Sequence, residues 1–135
     1  MPSEPTWLEP AELVELNRQI VGDTGEPHLV LNAGALESGL DSPRNHWAYN
    51  GENDAVSLAV TLLFAIARNH PFEQGNKRTA FEAALIFLEN NGYGFRAPDD
   101  PQLARAITAV ISHQSRLQDF EDLIRPLVEP IDPPA

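Results

Sequence analysis

Cysteine is absent from this 135-residue chain, which excludes disulfide bonds and thiolate metal sites and is compatible with a reducing cytoplasm. Positive charge is scarce: nine basic residues stand against twenty acidic ones, for a net charge of −11. Because nucleic-acid binders usually present a basic face, we expect no direct nucleic-acid binding. No apolar run reaches the roughly 18–20 residues that cross a bilayer, and the N-terminus lacks the pattern of a secretory signal. A cytoplasmic protein without a membrane partner is therefore expected.

The few basic residues are unevenly placed along the chain. Lys77 is the only lysine, and Arg68, Lys77 and Arg78 put three of the nine basic residues into one short segment. A positive spot on an acidic body can focus a small polyanion such as ATP into one cleft. The charge pattern thus predicts a local anion site.

The length predicts a single domain, 1–135, with loose proline-containing tails at 1–5 and 130–135. No segment alternates with period two for long enough to build a sheet, so the predicted fold is all-α. It is a compact helical bundle of about six helices. Apolar periodicity, caps and breakers predict these helices at Pro10 to Val21, Asn32 to Leu40, Ala55 to Asn69, Asn76 to Asn90, Pro101 to His113 and Phe120 to Leu127.

Breakers and turn residues divide these helices. Asp41-Ser42-Pro43 is expected to end the second helix. Trp47 to Tyr49 is predicted as a short extended piece before an Asn50-Gly51 turn, and Tyr93 to Arg96 as another extended piece. Asp54 is a plausible N-cap for the third helix, whose apolar residues cover nearly all its sides and predict burial in the middle of the fold.

The segment from His70 to Phe81 is the most informative for function. It reads His-Pro-Phe-Glu-Gln-Gly-Asn-Lys-Arg-Thr-Ala-Phe and connects the end of one predicted helix to the start of the next. The free N–H groups and positive dipole end of a helix N-terminus suit a bound phosphate. Lys77 in the first turn opposes the helix dipole, and a bound anion would explain its position.

This segment resembles the core motif of the Fic/Doc family, commonly written His-x-Phe-x-Asp/Glu-Gly/Ala-Asn-Gly/Lys-Arg. The lysine and the Arg-Thr-Ala continuation are typical of the Doc (death-on-curing) branch. Flanking patches agree with the family as well: Ala67 to Asn69, Phe87 to Tyr93, and the upstream segments Gly34 to Leu40 and Pro43 to Asn45. The fold implied by the resemblance is the helical Fic/Doc fold with a short extended flap.

The resemblance implies roles for the residues of the motif. His70 is the implied general base, Gly75, Asn76, Lys77 and Arg78 form the implied phosphate cradle, and Arg68 is a further candidate for binding ATP. Family members hold Mg²⁺ with an acidic residue at the position of Gln74, which here offers only a neutral oxygen. Three residues match the place of the family's flap, which aligns the target; these candidate substrate-binding residues are Arg44, Asn45 and Tyr49.

Structural alternatives stay open for several of these residues. Gly75 and Asn76 also fit an ordinary turn and cap, and Arg68 also fits a charge that complements the helix dipole. His70 is also suited to cap the C-terminal carbonyls of the preceding helix. Arg78 is also placed to pair with Glu82 four residues on. His28, His46 and His113 fit no metal-ligand spacing, and Trp7 and Trp47 are interpreted as packing residues.

The Doc-like pattern implies a toxin that transfers the γ-phosphate of ATP to a threonine of elongation factor Tu and so inhibits translation. Its implied regulator is a separately encoded antitoxin. Phe81 stands where the AMP-transferring pattern has a second arginine, which together with Lys77 favours the kinase. The alternatives are a Fic-type AMP transferase, and a binding protein weakened in catalysis by Gln74.

Overall fold

The computed structural model of the chain describes residues 3–96, 100–102, 105, 109 and 117–131. The fold is mainly helical, as predicted from the sequence. Within the described ranges the elements are α1 (Pro10–Asp23), α2 (Ala33–Asn50), α3 (Ala55–Asn69), α4 (Asn76–Asn90), β1 (Tyr93–Phe95), α5 (Leu117–Ile124), a 3₁₀ turn (Arg125–Leu127) and β2 (Val128–Pro130).

Helix α3 lies at the centre of the fold, as its apolar sequence predicts. It packs against α2, α4 and α5. Asp54 caps its N-terminus, with its carboxylate accepting a hydrogen bond from the Ser57 N–H at 3.0 Å. Each fully buried aliphatic side chain contributes roughly 1.5–3 kcal/mol, so α3 is a rigid support for the turn that follows it. Its buried residues are Val56, Leu58, Ala59, Val60, Leu62, Leu63, Ala65, Ile66 and Ala67.

The predicted break in the second helix is wrong. Instead of ending at Leu40, α2 runs through Asp41-Ser42-Pro43 to Asn50. A proline inside a helix removes a backbone hydrogen bond and costs roughly 3 kcal/mol. Here Pro43 is buried, and Gly39 lies so close to α3 that an added Cβ would be 3.4 Å from Ile66 Cγ1. Packing against α3 therefore outweighs the local cost of the proline.

The short extended piece predicted at Trp47 to Tyr49 is wrong for the same reason. These residues form the last turns of α2, because the helix is not interrupted before them. The turn after them is confirmed: Gly51 adopts a left-handed conformation, with φ of +71°, and its N–H bonds to the His46 carbonyl. Glycine adopts this conformation without steric cost.

The C-terminal part adds a small two-stranded sheet to the mainly helical fold. β1, predicted as extended, pairs antiparallel with β2, with Tyr93 opposite Pro130. The Ile131 N–H then bonds to the Gly92 carbonyl at 2.8 Å. The predicted helix from Phe120 to Leu127 is confirmed as the end of α5 and the 3₁₀ turn that follows it. The tail predicted as loose is instead paired at Pro130 and Ile131, because the backbone groups of β1 need partners and find them there.

Most of the predicted helix from Pro101 to His113 lies outside the described residues. Those of its residues that are described, Pro101, Gln102, Arg105 and Ala109, are helical. Among the described helices, none is long and apolar enough to cross a membrane.

Candidate active site

The turn between α3 and α4 is closed by one side chain. Asn76, the first residue of α4 and only 7% exposed, accepts a hydrogen bond from the Phe72 N–H (2.9 Å) and donates one to the Phe72 carbonyl (2.8 Å). Phe72 itself is buried in the core. Buried backbone groups need partners, and Asn76 supplies both of them. Its side chain therefore holds the turn in place through both of its polar atoms.

His70 ends α3 in a left-handed conformation, with φ of 48° and ψ of 57°. Among the described residues it is the only non-glycine residue with positive φ, a conformation that costs roughly 1–2 kcal/mol for an L-residue. Its backbone N–H bonds to the Ile66 carbonyl, so the backbone, and not the imidazole, makes the capping contact. The side chain is exposed. The structure thus directs a histidine to the surface beside the motif turn.

The His70 ring has one polar contact with the described residues. Its Nδ1 lies 3.4 Å from Nδ2 of Asn76. This exceeds the ordinary range of about 2.7–3.2 Å, so the contact constrains the ring only weakly and imposes neither tautomer. No strong contact to the described residues therefore holds either ring nitrogen.

Gly75 makes the tight entry into α4. Its φ of +75° suits glycine, and an added Cβ would lie 2.9 Å from Val21 Cγ1 and 3.4 Å from Asn17 Nδ2. Both the backbone conformation and the close approach of α1 therefore require glycine here.

Three consecutive backbone N–H groups at the start of α4 form no hydrogen bond with the described residues. Among the described residues, the N–H groups of Gly75, Asn76 and Lys77 have no hydrogen-bond partner, and the Lys77 side chain has no ion pair. Lys77 is exposed, and α4 has no acidic residue in its first turn. Free N–H groups, the positive end of the helix dipole and a cation are features that favour a bound anion.

Arg78 is occupied by a partner that the sequence did not predict. Its Nη2 donates to Glu26 Oε1 at 2.5 Å, and its Nη1 lies 3.4 Å from Thr24 Oγ1. No contact with Glu82 is found among the described residues, so the helical pairing considered from sequence is replaced by one across the fold. Hydrogen bonds from the Thr24 hydroxyl and the Arg78 guanidinium hold the pKa of Glu26 below its ordinary value, so the carboxylate stays charged at neutral pH.

An extended segment lies alongside the turn. The Leu31 N–H bonds to the Pro71 carbonyl at 2.8 Å, and the Glu73 N–H bonds to the Leu29 carbonyl at 2.9 Å, which pairs Val30 with Phe72 as a β-bridge. The side chains of Leu29 and Leu31 are 50% and 59% exposed. The extended piece beside the motif is therefore this one, whereas the sequence placed it after Pro43.

Asn17 of α1 connects these parts. It is fully buried and bonds to the Gln74 carbonyl (2.9 Å), the Thr79 hydroxyl (3.0 Å) and His28 Nδ1 (2.8 Å). Its position, four residues from Leu13 and four from Val21, puts it on the buried stripe of α1. An asparagine within an apolar stripe was the one sequence signal that marked it.

Two other predicted site residues, Arg68 and Arg44, lie on different helices. Arg68 is exposed in the last turn of α3, where a cation complements the helix dipole. The start of α2 adjoins the site, since Asn69 Nδ2 donates to the Ala35 carbonyl at 3.1 Å. Arg44 follows Ala35 by nine residues on α2, which places it about 13 Å from Ala35 along the helix axis. Its guanidinium is 5.8 Å from the centre of the Trp7 ring.

Asn45 and Tyr49 follow Arg44 on the same helix. The structure therefore does not bring these three residues to the His70 turn, and their role in binding a target stays a prediction.

The chain offers poor ligands for magnesium. Gln74 is exposed but neutral, its backbone carbonyl is taken by Asn17, and its neighbour Glu73 is exposed. Among the described residues, no group of three or more His, Asp or Glu is placed to hold a metal ion. One amide oxygen does not fit the oxygen-rich coordination that Mg²⁺ requires, so most ligands would have to come from nucleotide phosphates and water.

Comparison with known proteins agrees with the motif. The Fic/DOC family model matches residues 7–88, and the chain belongs to that family. A protein named protein kinase doc, from Escherichia phage P1, is 29% identical over 120 residues, which cover 89% of this chain and 94% of that protein. Toxin Doc of Mycolicibacterium smegmatis is 50% identical over 42 residues, 31% of this chain and 32% of that protein.

Proposed function

We propose that this chain is a Doc-like toxin. It would be an enzyme that transfers the γ-phosphate of ATP to a threonine hydroxyl on a translation factor such as elongation factor Tu. The observation that carries the proposal is the turn itself. An exposed histidine stands at one end, and unpaired N–H groups and an unpaired lysine stand at the other among the described residues. This arrangement offers a base beside an anion site, which is what phosphoryl transfer needs.

In the proposed reaction, His70 accepts the proton of the attacking hydroxyl while the hydroxyl oxygen forms a bond to the γ-phosphorus. The bond from that phosphorus to the bridging oxygen of the β-phosphate breaks, and ADP leaves. The N–H groups of Gly75, Asn76 and Lys77, with the Lys77 ammonium, would stabilise the phosphate oxygens. Magnesium bound with ATP would add charge neutralisation at the phosphates.

Phe81 supports phosphate transfer over AMP transfer. The AMP-transferring pattern has a second arginine at this position, whereas Phe81 packs edge-on against Phe95 with ring centres 5.7 Å apart. A packed aromatic ring supplies no charge to a nucleotide, so the cations of the turn are Lys77 and Arg78.

ATP labelled separately at its α- and γ-phosphates tests the proposal. With purified elongation factor Tu as substrate, we expect γ label on the protein and no α label. Transfer of α label would replace the proposal with AMP transfer. Binding of ATP without any label transfer would favour the weakened binding protein.

A separately encoded antitoxin is part of the same proposal, in keeping with the toxin name of one relative. A partner that binds only the folded chain would stabilise it by mass action.

The Arg78–Glu26 pair leads to a further prediction. The Arg78 guanidinium must leave the Glu26 carboxylate before it can bind phosphate oxygens. Glu26→Gln should therefore tighten ATP binding. Both side chains are partly exposed, at 44% and 31%, and such surface pairs are weak. We therefore expect a Kd lower by about two- to fivefold, measured by calorimetric titration.

Glu15→Gln is the matched control. It changes the net charge equally and removes a comparable surface pair, with Arg18 on α1. Tighter binding in both variants would assign the effect to net charge. Weaker binding in Glu26→Gln alone would mean that Glu26 orients Arg78 for the ligand.

A further inference from the structure

The Asn17 side chain has a fixed orientation. The Gln74 carbonyl can only accept a hydrogen bond, so the amide nitrogen Nδ2 of Asn17 must face it. The second hydrogen of Nδ2 points to the Thr79 hydroxyl, and Oδ1 accepts from His28 Nδ1. Every part of this buried amide is used, so Asn17 links α1, the segment after it, the motif turn and α4.

The bond to Gln74 determines the direction of a neighbouring N–H. In a trans peptide the C=O of one residue and the N–H of the next point in opposite directions, and the described residues contain no cis bond. Because Asn17 draws the Gln74 carbonyl towards buried α1, the Gly75 N–H points away from α1. That N–H is the first of the open donors of the turn and has no partner among the described residues.

We infer that Asn17 is a positioning residue for the phosphate cradle. It sets the Gln74–Gly75 peptide so that the Gly75 N–H faces the bound phosphate, although Asn17 itself does not touch the ligand. The inference rests on the proposed function. A purely structural role would make the same residue important for stability alone.

Two substitutions remove the donor in different ways. Asn17→Asp keeps the shape and the acceptor towards His28, but it places a carboxylate against the Gln74 carbonyl. Asn17→Leu removes the donor without adding charge, so an effect common to both variants is not electrostatic repulsion of ATP. Ser57→Ala is the control for lost stability, because it removes a side-chain hydrogen bond to Glu121 at the opposite end of α3.

We expect both Asn17 variants to bind ATP at least roughly tenfold more weakly, because each loses one charge-assisted hydrogen bond between the Gly75 N–H and the phosphate. Ser57→Ala should bind like the unmodified chain. All proteins are measured well below their melting temperatures. In amide NMR spectra, added ATP should shift the Gly75 signal in the unmodified chain and in Ser57→Ala, with a much smaller shift in Asn17→Leu.

The outcomes separate this inference from the function on which it rests. If the unmodified chain binds ATP and both Asn17 variants bind it equally well, the positioning role is overturned and the proposed function stands. If the unmodified chain does not bind ATP, the proposed function and the cradle are both overturned. Weaker binding in Asn17→Asp alone would assign the effect to charge and also overturn the inference.

Discussion

His70→Ala is expected to lower the rate of phosphate transfer by about a hundred- to ten-thousand-fold, the usual contribution of a general base. The fold and the affinity for ATP should change little, because the imidazole is exposed and its only polar contact with described residues is the long one to Asn76. Alanine keeps the backbone N–H that bonds to the Ile66 carbonyl at the end of α3. Single-turnover rates, ATP titration and thermal melting together measure the three quantities.

His46→Ala is the matched control. That histidine lies on α2, and its Nδ1 contacts Asn50 at 2.7 Å, away from the motif turn. Its removal should leave transfer unchanged. A His70→Ala protein that modifies its target at a rate near that of the unmodified chain would contradict the assignment of the base, whatever its ATP affinity.

Gly75→Ala should have the second large effect, on both stability and ligand binding. A left-handed alanine costs roughly 1–2 kcal/mol. The added Cβ would also meet Val21 at 2.9 Å, and overpacking of this kind costs about a further 1–3 kcal/mol. Relief of that clash would move the Gly75 N–H, so we expect ATP binding to weaken by roughly tenfold or more.

Gly51→Ala separates the two costs. Gly51 has φ of +71°, close to the +75° of Gly75, but an added Cβ there would meet nothing within 4 Å. Urea unfolding should therefore show only the conformational cost for Gly51→Ala and both costs for Gly75→Ala, with ATP binding retained in the former. If Gly51→Ala and Gly75→Ala lose equal stability, α1 must move enough to accommodate the added methyl group without overpacking.

Local signals were sufficient to predict the parts of the candidate site that follow one another in the chain. The apolar run of α3, its Asp54 cap, the glycine at the start of α4 and the single lysine after it were all readable from the sequence, because each acts through its immediate neighbours. The histidine between the two helices was identified in the same way. What the sequence did not indicate is that the Asn76 side chain is engaged by the backbone of the turn.

Contacts between distant residues were missed. Glu26 pairs with Arg78 across 52 positions, and Asn17 reaches Gln74 across 57. Neither pair has a periodic signal, and a nearer partner, Glu82, was available to Arg78. The choice between such partners depends on how α1 packs against α4.

By itself, the sequence determined the family, the helical class and the segment that forms the candidate site, because a contiguous motif and apolar periodicity are local properties of the chain. The tertiary structure decided the rest. It kept α2 helical through Pro43, because burial against α3 exceeds the cost of one lost hydrogen bond. It also placed Leu29 to Leu31, and not Trp47 to Tyr49, beside the motif turn. Both outcomes depend on free energies of packing between segments far apart in the chain, which no local pattern contains.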